Sequence, residues 1–388
     1  MKNKQLLLCS LLIVICSLLP AIDFGLVLDQ KAEFSGEESG TDFLYKGILI
    51  PRFSGLLGDR GSFHISAGLN YEVDPVSFIP ELLRTDFYWL QNPWEFRVGR
   101  MTYQDPLGFI AAGLFDGTRF SFNSEAGTFS AGGWYTGLLN KIRANIEMTP
   151  KELELYDTAI EYSDFAKTYF APKRVLAALD WEHQGLWERI PARLSFLGQF
   201  DLGEEELHSQ YLAGKLSFPA GSIIFDLGGS LEFLEVKGDF NMAFAAEAGL
   251  FWKIKSQQLS FLGRYSSGQS DSLAAFLPLT TVSQGHVLGP KLSGISLLSL
   301  DYNVLLHRTL SLDLSSFYFI RSDSSSFYFY GNEGRLLGAE FYAGLYWNPV
   351  SDFFVNIGGG AFLPSLGNAA PKVSSLWRFD INLIISLY

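Results

Sequence analysis

The chain has 388 residues and a net charge of −12, with 18% charged and 15% aromatic residues. That charged fraction lies below the roughly 25% of ordinary soluble domains, and an acidic chain is a poor ligand for nucleic acid or an anionic membrane surface. Both cysteines, Cys9 and Cys16, stand near the N-terminus, which excludes disulfides, thiolate metal sites and thiol nucleophiles from the remainder.

Met1-Lys2-Asn3-Lys4 precedes an apolar run from Leu6 to Leu19, then Pro20-Ala21. A basic head, a short apolar run and a small residue describe a secretory signal peptide, expected over residues 1–21. Leu19 is larger than the residue usual three places before a cut, so the cut site stays open. A lipoprotein reading at Cys16 is disfavoured by the bulk of Ile15. After this leader no stretch approaches the roughly 20 apolar residues of a spanning helix.

From Phe24 onward the apolar period is two. Strands are predicted at Phe24–Phe34, Phe43–Phe53, Gly61–Val73, Leu83–Gln91, Trp94–Met101, Leu114–Phe122, Ala126–Tyr135, Arg174–His183 and Ala192–Asp201. The second half continues with Ser209–Phe218, Ile223–Leu234, Phe240–Ile254, Gln258–Tyr265, Lys291–Leu305, Leu310–Ile320, Leu336–Trp347, Phe353–Phe362 and Leu376–Tyr388. In Gly61–Val73, for example, Phe63, Ile65, Leu69, Tyr71 and Val73 share one face, and Ser62, His64, Ser66, Asn70 and Glu72 the other. A soluble β-sandwich would alternate in the same way.

The connections separate the two. Those on the side where Phe24 starts are short, such as Asn92–Pro93, Asn123–Glu125, Pro219–Ser222 and Lys255–Ser256. On the other side they are mostly longer: Asp74–Glu81, and then loops near 103–113, 137–173, 266–290 and 321–335. Short turns on one side, long loops on the other and an even strand number describe a transmembrane barrel. Trp89, Trp94, Trp181, Trp252 and Trp347 fall at strand ends on the short-turn side, with Trp187 in a turn there, as an interfacial aromatic girdle would. One closed antiparallel barrel over 22–388 is expected, of about 18 strands, with 16 possible. The one helix expected is in the longest loop, where Thr149 reads as an N-cap followed by Pro150.

The stretch Phe96-Arg97-Val98-Gly99-Arg100, followed after a loop by Phe115-Asp116-Gly117-Thr118-Arg119, resembles the porin-like outer-membrane barrels, closest to eighteen-strand substrate channels of the alginate-export and OprD-like type. This implies residence in the bacterial outer membrane, contact with its lipid, insertion by the barrel-assembly machinery, and passage of small hydrophilic solutes. The C-terminal strand alternates through Phe379, Ile381, Leu383, Ile385 and Leu387, but Tyr388 is out of phase with that set, a departure from the family's terminal signal.

If the apolar faces meet lipid, the lumen receives Arg84, Asp86, Glu95, Arg97, Arg119, Asp180, Glu182, Arg193, Asp226, Glu232, Glu247 and Arg264 as candidate pore-lining groups. Arginines concentrate on the strands from Leu83 to Phe122 and carboxylates on those from Arg174 to Ile254, which would set a transverse field across a pore. The other reading is a solvated face without a tuned constriction. Loop 137–173, rich in both charges, reads first as a surface cap and second as an inward fold narrowing the lumen. An enzyme is not expected: the five histidines show no metal-ligand spacing, and neither a nucleophile elbow nor a P-loop is present. No cofactor or metal is expected. The alternative function is an adhesin or surface antigen displayed on a closed barrel.

Overall fold

The computed structural model describes residues 22–37, 40–73, 76–142, 144–156, 158–186, 189–203, 206–270, 273–323, 334–369 and 372–388. The leader expected over 1–21 and the girdle residue Trp187 lie outside them.

Alternation of this length cannot be satisfied by an isolated strand, and the chain resolves it by pairing every strand with its successor. The first nine are β1 (Asp23–Glu37), β2 (Gly40–Leu57), β3 (Gly61–Val73), β4 (Val76–Gln91), β5 (Trp94–Gln104), β6 (Ala112–Ser124), β7 (Gly127–Tyr135), β8 (Arg174–Leu186) and β9 (Ile190–Asp201). The rest are β10 (Leu207–Ala220), β11 (Ile223–Val236), β12 (Asp239–Ile254), β13 (Gln257–Ser266), β14 (Ile295–His307), β15 (Leu310–Arg321), β16 (Leu336–Val350), β17 (Phe353–Leu363) and β18 (Leu376–Leu387). β1 closes on β18 in antiparallel register, with Leu28 opposite Ile385 and Phe34 opposite Phe379. The result is a closed 18-stranded antiparallel barrel. Closure pairs the ladder without a free edge, the condition for crossing lipid with strands.

The expected apolar face points outward. Ile65, Leu69, Phe96, Phe120, Leu227 and Phe261 are all exposed on the outside. At the turn end Trp89, Trp94, Trp252 and Trp347 are exposed too, and Trp94 lies against Phe120 and Phe122 at ring separations of 5.0 and 4.4 Å. This is the aromatic belt read from the sequence.

Several boundaries differ from expectation, three of them for a local physical reason. β4 begins at Val76 rather than Leu83, so the loop expected over Asp74–Glu81 is largely strand. Proline 80 sits within it, opposite Leu69 of β3. It is tolerated because this part of β4 has no strand on its other side, where a missing N–H would break a ladder. β14 starts at Ile295, not Lys291, because Gly294 just before it takes a left-handed φ of 61° that ends the loop. Tyr388 stands beyond the last residue of β18, which accounts for its phase.

The largest difference is inside. Loop 137–173 does not simply cap the surface. Parts of it fold into the lumen with the β5–β6 and β13–β14 loops, and they build an apolar core there from residues such as Leu107, Phe109, Ile146, Ala171, Phe276 and Leu279. Backbone bonds knit the three together: Leu279 N–H to Ile110 at 2.8 Å, Glu147 N–H to Leu279 at 3.0 Å and Thr281 N–H to Asn145 at 2.7 Å. Within the long loop, helix α1 (Pro150–Tyr156) has the expected cap. The Thr149 N–H donates to Glu152 Oε2 at 2.8 Å and the Glu152 N–H donates to Thr149 Oγ1 at 3.2 Å, a reciprocal capping box.

Candidate solute channel

All twelve charged positions taken from the sequence share the inward phase, but their surroundings split them. On the turn-side half the groups are paired locally and, apart from the buried Asp86, partly open. Arg84 Nε lies 2.5 Å from Asp86, Arg97 lies 3.9 Å from Glu95, and Arg119 lies 3.4 Å from Asp180. Glu182 and Arg193 face each other across β8 and β9. Arg97 and Arg119 are directly opposed across β5 and β6, a like-charge pair that the two carboxylates and the Tyr88 ring, 5.2 Å beneath the Arg97 guanidinium, offset.

The other four are covered. Lys215 bridges Asp226 at 3.1 Å and Glu247 at 3.0 Å, and Glu247 also takes Arg264 at 2.8 Å. Arg264 lies 5.2 Å over Phe109 of the β5–β6 loop and donates to Gln284 of the β13–β14 loop at 2.7 Å. Glu232 is fully buried and accepts from Tyr211 Oη at 3.1 Å and the Leu277 N–H at 2.8 Å. The expectation that Glu232 and Glu247 border an open pore therefore gives way: the loops lie over them, and a buried charge persists only where such partners surround it.

The expected arginine wall facing an acidic wall is also rearranged. Of the carboxylates of β8 to β12, Asp180 and Glu182 lie beside the arginines while Glu247 on β12 lies six to eight strands round from them, and several are neutralised by the pairs above. Nine strands round from β4 to β6 are β13 to β15, so the groups across the lumen from Arg84, Arg97 and Arg119 are Asp301 and Asp313. These two border a cavity of about 480 Å³ together with His286, Asn303 and Gln258.

Carboxylates and two arginines outside the twelve candidate positions hold the loops in place. Asp105 accepts four backbone N–H groups, from Leu107, Gly108, Ile110 and Ala111, at 2.8–3.0 Å. Burial pushes its carboxyl up, and the four donors pull the other way. The Asp105-Pro106-Leu107-Gly108 sequence carried a turn signal that could have located this clasp. Glu340, fully buried on β16, accepts the His286 N–H at 2.5 Å and the Leu288 N–H at 2.8 Å. Arg378 holds the His286 carbonyl at 3.0 Å, and the His286 ring stacks on Tyr342 at 4.2 Å. Arg174, at the start of β8, donates to Glu152 at 2.6 Å and to the Glu147 carbonyl.

Among the described residues the loops pack on the side of the lumen nearest β5 to β16, with open space against the remaining strands. There a cavity of about 410 Å³ runs between the inner faces of β1 to β4 and β18 and the loop residues Asn140, Ile142 and Asn145. Its wall charges balance: Lys31 and Lys46 stand with Asp29 and Glu72. Lys31 reaches Glu33 at 2.9 Å, and Lys46 lies 3.9 Å from Glu72. Asn70 and Asn382 add neutral hydrogen-bonding groups. Among the described residues no group of three or more His, Cys, Asp or Glu side chains is placed to hold a metal.

Among solved structures, the chain is similar to OccK2 (OpdF) of Pseudomonas aeruginosa in complex with glucuronate, at 12% identity and a TM-score of 0.65 over 95% of this chain and 97% of that one. OccK1 (OpdK) of the same organism has 10% identity and a TM-score of 0.66 over 95% and 99% of the two chains. OccAB4 of Acinetobacter baumannii has 9% identity and a TM-score of 0.63 over 95% and 98%. At such identities the likeness is one of fold. No family model matches the chain, and neither does any curated protein.

Proposed function

We propose that the chain is an integral outer-membrane channel for passive diffusion of small hydrophilic solutes, exported by a cleaved leader over residues 1–21 and inserted by the barrel-assembly machinery. The observation that carries this reading is the polar cavity left, among the described residues, between the loops and the inner faces of β1 to β4 and β18. That cavity carries balanced wall charges, and its wall shares the inward phase of the partly open Arg84, Arg97, Arg119 and Arg193 on the turn-side half. A polar inner face is what a water-filled barrel requires. The reading is of a conduit that performs no chemistry, and the local pairing of its charged groups supports it.

Glucuronate, held by OccK2, is a reasonable first solute. Purified protein in planar bilayers should give discrete conductance steps, and proteoliposomes should swell in sugars and sugar acids. Folded protein without steps or swelling would defeat the channel. The buried loop core favours a second reading, display of surface loops on a closed barrel as an adhesin or antigen, and that outcome would install it.

A further inference from the structure

β4 and β5 pair only from Gln91 opposite Trp94 up to Thr85 opposite Arg100. Beyond that point β4 continues to Val76 against β3 alone, and β5 continues to Gln104 against β6 alone. The wall splits there. The bulge of β4 between Leu82 and Arg84, opposite Ser66 and Ala67, turns its upper half away. Gly99 lets the strands meet just below the split: a Cβ there would stand 1.6 Å from the Thr85 carbonyl oxygen.

Six strand steps at about 3.3 Å, tilted by about 40°, put the split roughly 15 Å above the turn-side end of a lipid band about 25 Å tall. It therefore opens at lipid level, in the loop-side half. Leu82 and Leu138, beside it, are exposed at 41% and 52%.

A two-stranded piece of the β7–β8 loop fills the gap. Asn140 bridges Phe170, the Lys141 N–H donates to Tyr169 at 2.9 Å, and the Ala171 N–H donates to Leu139 at 2.9 Å. Two side chains join this ribbon to the split strands. Tyr169 Oη donates to the Pro80 carbonyl at 3.0 Å. Arg100, 3% exposed although its phase is outward, donates to the Leu82 carbonyl on β4, to the Leu138 carbonyl of the ribbon at 2.9 Å, and to Asp116 on β6 at 2.6 and 2.9 Å. One guanidinium thus ties both edges of the split and the ribbon between them.

We propose that the β4–β5 split is a lateral portal between the outer leaflet and the lumen, with the 139–141/169–171 ribbon as its door and Arg100 as its latch, admitting the apolar part of an amphipathic solute or lipid. This rests on the barrel spanning a membrane. Arg100 is a positioning residue, acting through the ribbon.

The test uses the full mature chain carrying Ile79→Cys, whose side chain has inward phase, labelled with a polarity-sensitive fluorophore and reconstituted with brominated lipids. In the unaltered background the label should be little quenched while the girdle tryptophans are quenched strongly. Arg100→Ala should raise the lipid-accessible population about tenfold or more, the least that losing hydrogen bonds to a charged group gives. Tyr169→Phe should raise it less, and serves if Arg100→Ala fails to fold. Quenching of the label unchanged in both variants, with the tryptophans still quenched, overturns the portal alone. Tryptophans left unquenched would overturn the membrane reading and the portal with it.

Discussion

Arg174 and Glu152 meet at 2.6 Å, with the arginine side chain fully buried. The arginine belongs to the barrel wall and the carboxylate to the first turn of α1, where it also closes the Thr149 capping box. One carboxylate therefore joins the cap of a loop helix to the rim of a strand, which is how a loop of this length keeps one position over the lumen. Removing one partner of a buried pair costs about 3–5 kcal/mol because the other charge is stranded. Arg174→Ala should release the α1 segment while the barrel persists. Limited proteolysis should then nick near residues 150–160, with far-ultraviolet strand signal unchanged. Resistance equal to the parent would mean that the apolar contacts alone hold the loop.

Among the ties of the β13–β14 loop are two buried carboxylates of the barrel wall, Glu232 through Leu277 and Glu340 through His286 and Leu288. A hydrogen bond to a charged group contributes about 1.5–3 kcal/mol. Glu340→Gln should weaken two such bonds and let the loop tip leave Tyr342. In planar bilayers this should appear as larger or noisier conductance steps, and Glu232→Gln should act in the same direction. Steps identical to the parent in both variants would show that the loop does not narrow the path.

Arg97 and Arg119 are half-open pairs in the turn-side half, where an exposed pair contributes about 1 kcal/mol or less. Replacing either with Ala should leave the heat-dependent gel shift nearly unchanged. It should also leave Glu95 or Asp180 without its nearby cation, so reversal potentials in a salt gradient should move toward cation preference. The change should grow as salt is lowered, since screening weakens. A shift toward anions would refute the assignment of these side chains to the ion path.

Asp105 gathers four N–H donors that have no strand to pair with. Asp105→Ala leaves them to compete for water in a buried place, at about 1–3 kcal/mol for each left unsatisfied. The β5–β6 loop, with Phe109 and Ile110, should then leave the lumenal core. Hydrogen exchange at residues 106–111 should accelerate by at least an order of magnitude, and Asp105→Asn, which keeps one acceptor oxygen, should fall between. Unchanged exchange in the alanine variant would place the burden on the packing of Phe109.

Much of this protein was legible because a strand's period is local. Successive side chains must point to opposite faces, so Phe63, Ile65 and Leu69 against Ser62, His64 and Ser66 already told inside from outside. Eighteen such segments with short turns on one side implied closure, and Thr149-Pro150 with Glu152 announced the cap of α1. What lay beyond the sequence was where side chains distant in the chain would meet. Glu232 and Arg84 have the same phase and nearly the same pattern around them, yet one is sealed under Leu277 and the other stands 42% exposed by its side chain. Phase assigns a face, but burial on that face depends on which loop folds back across it. Arg100, outward by alternation, is hidden because β4 and β5 part beside it and a loop residue arrives from 38 positions away. Those outcomes are set by long-range contacts among groups whose local sequence carries no trace of their partners, so only the tertiary structure decided them.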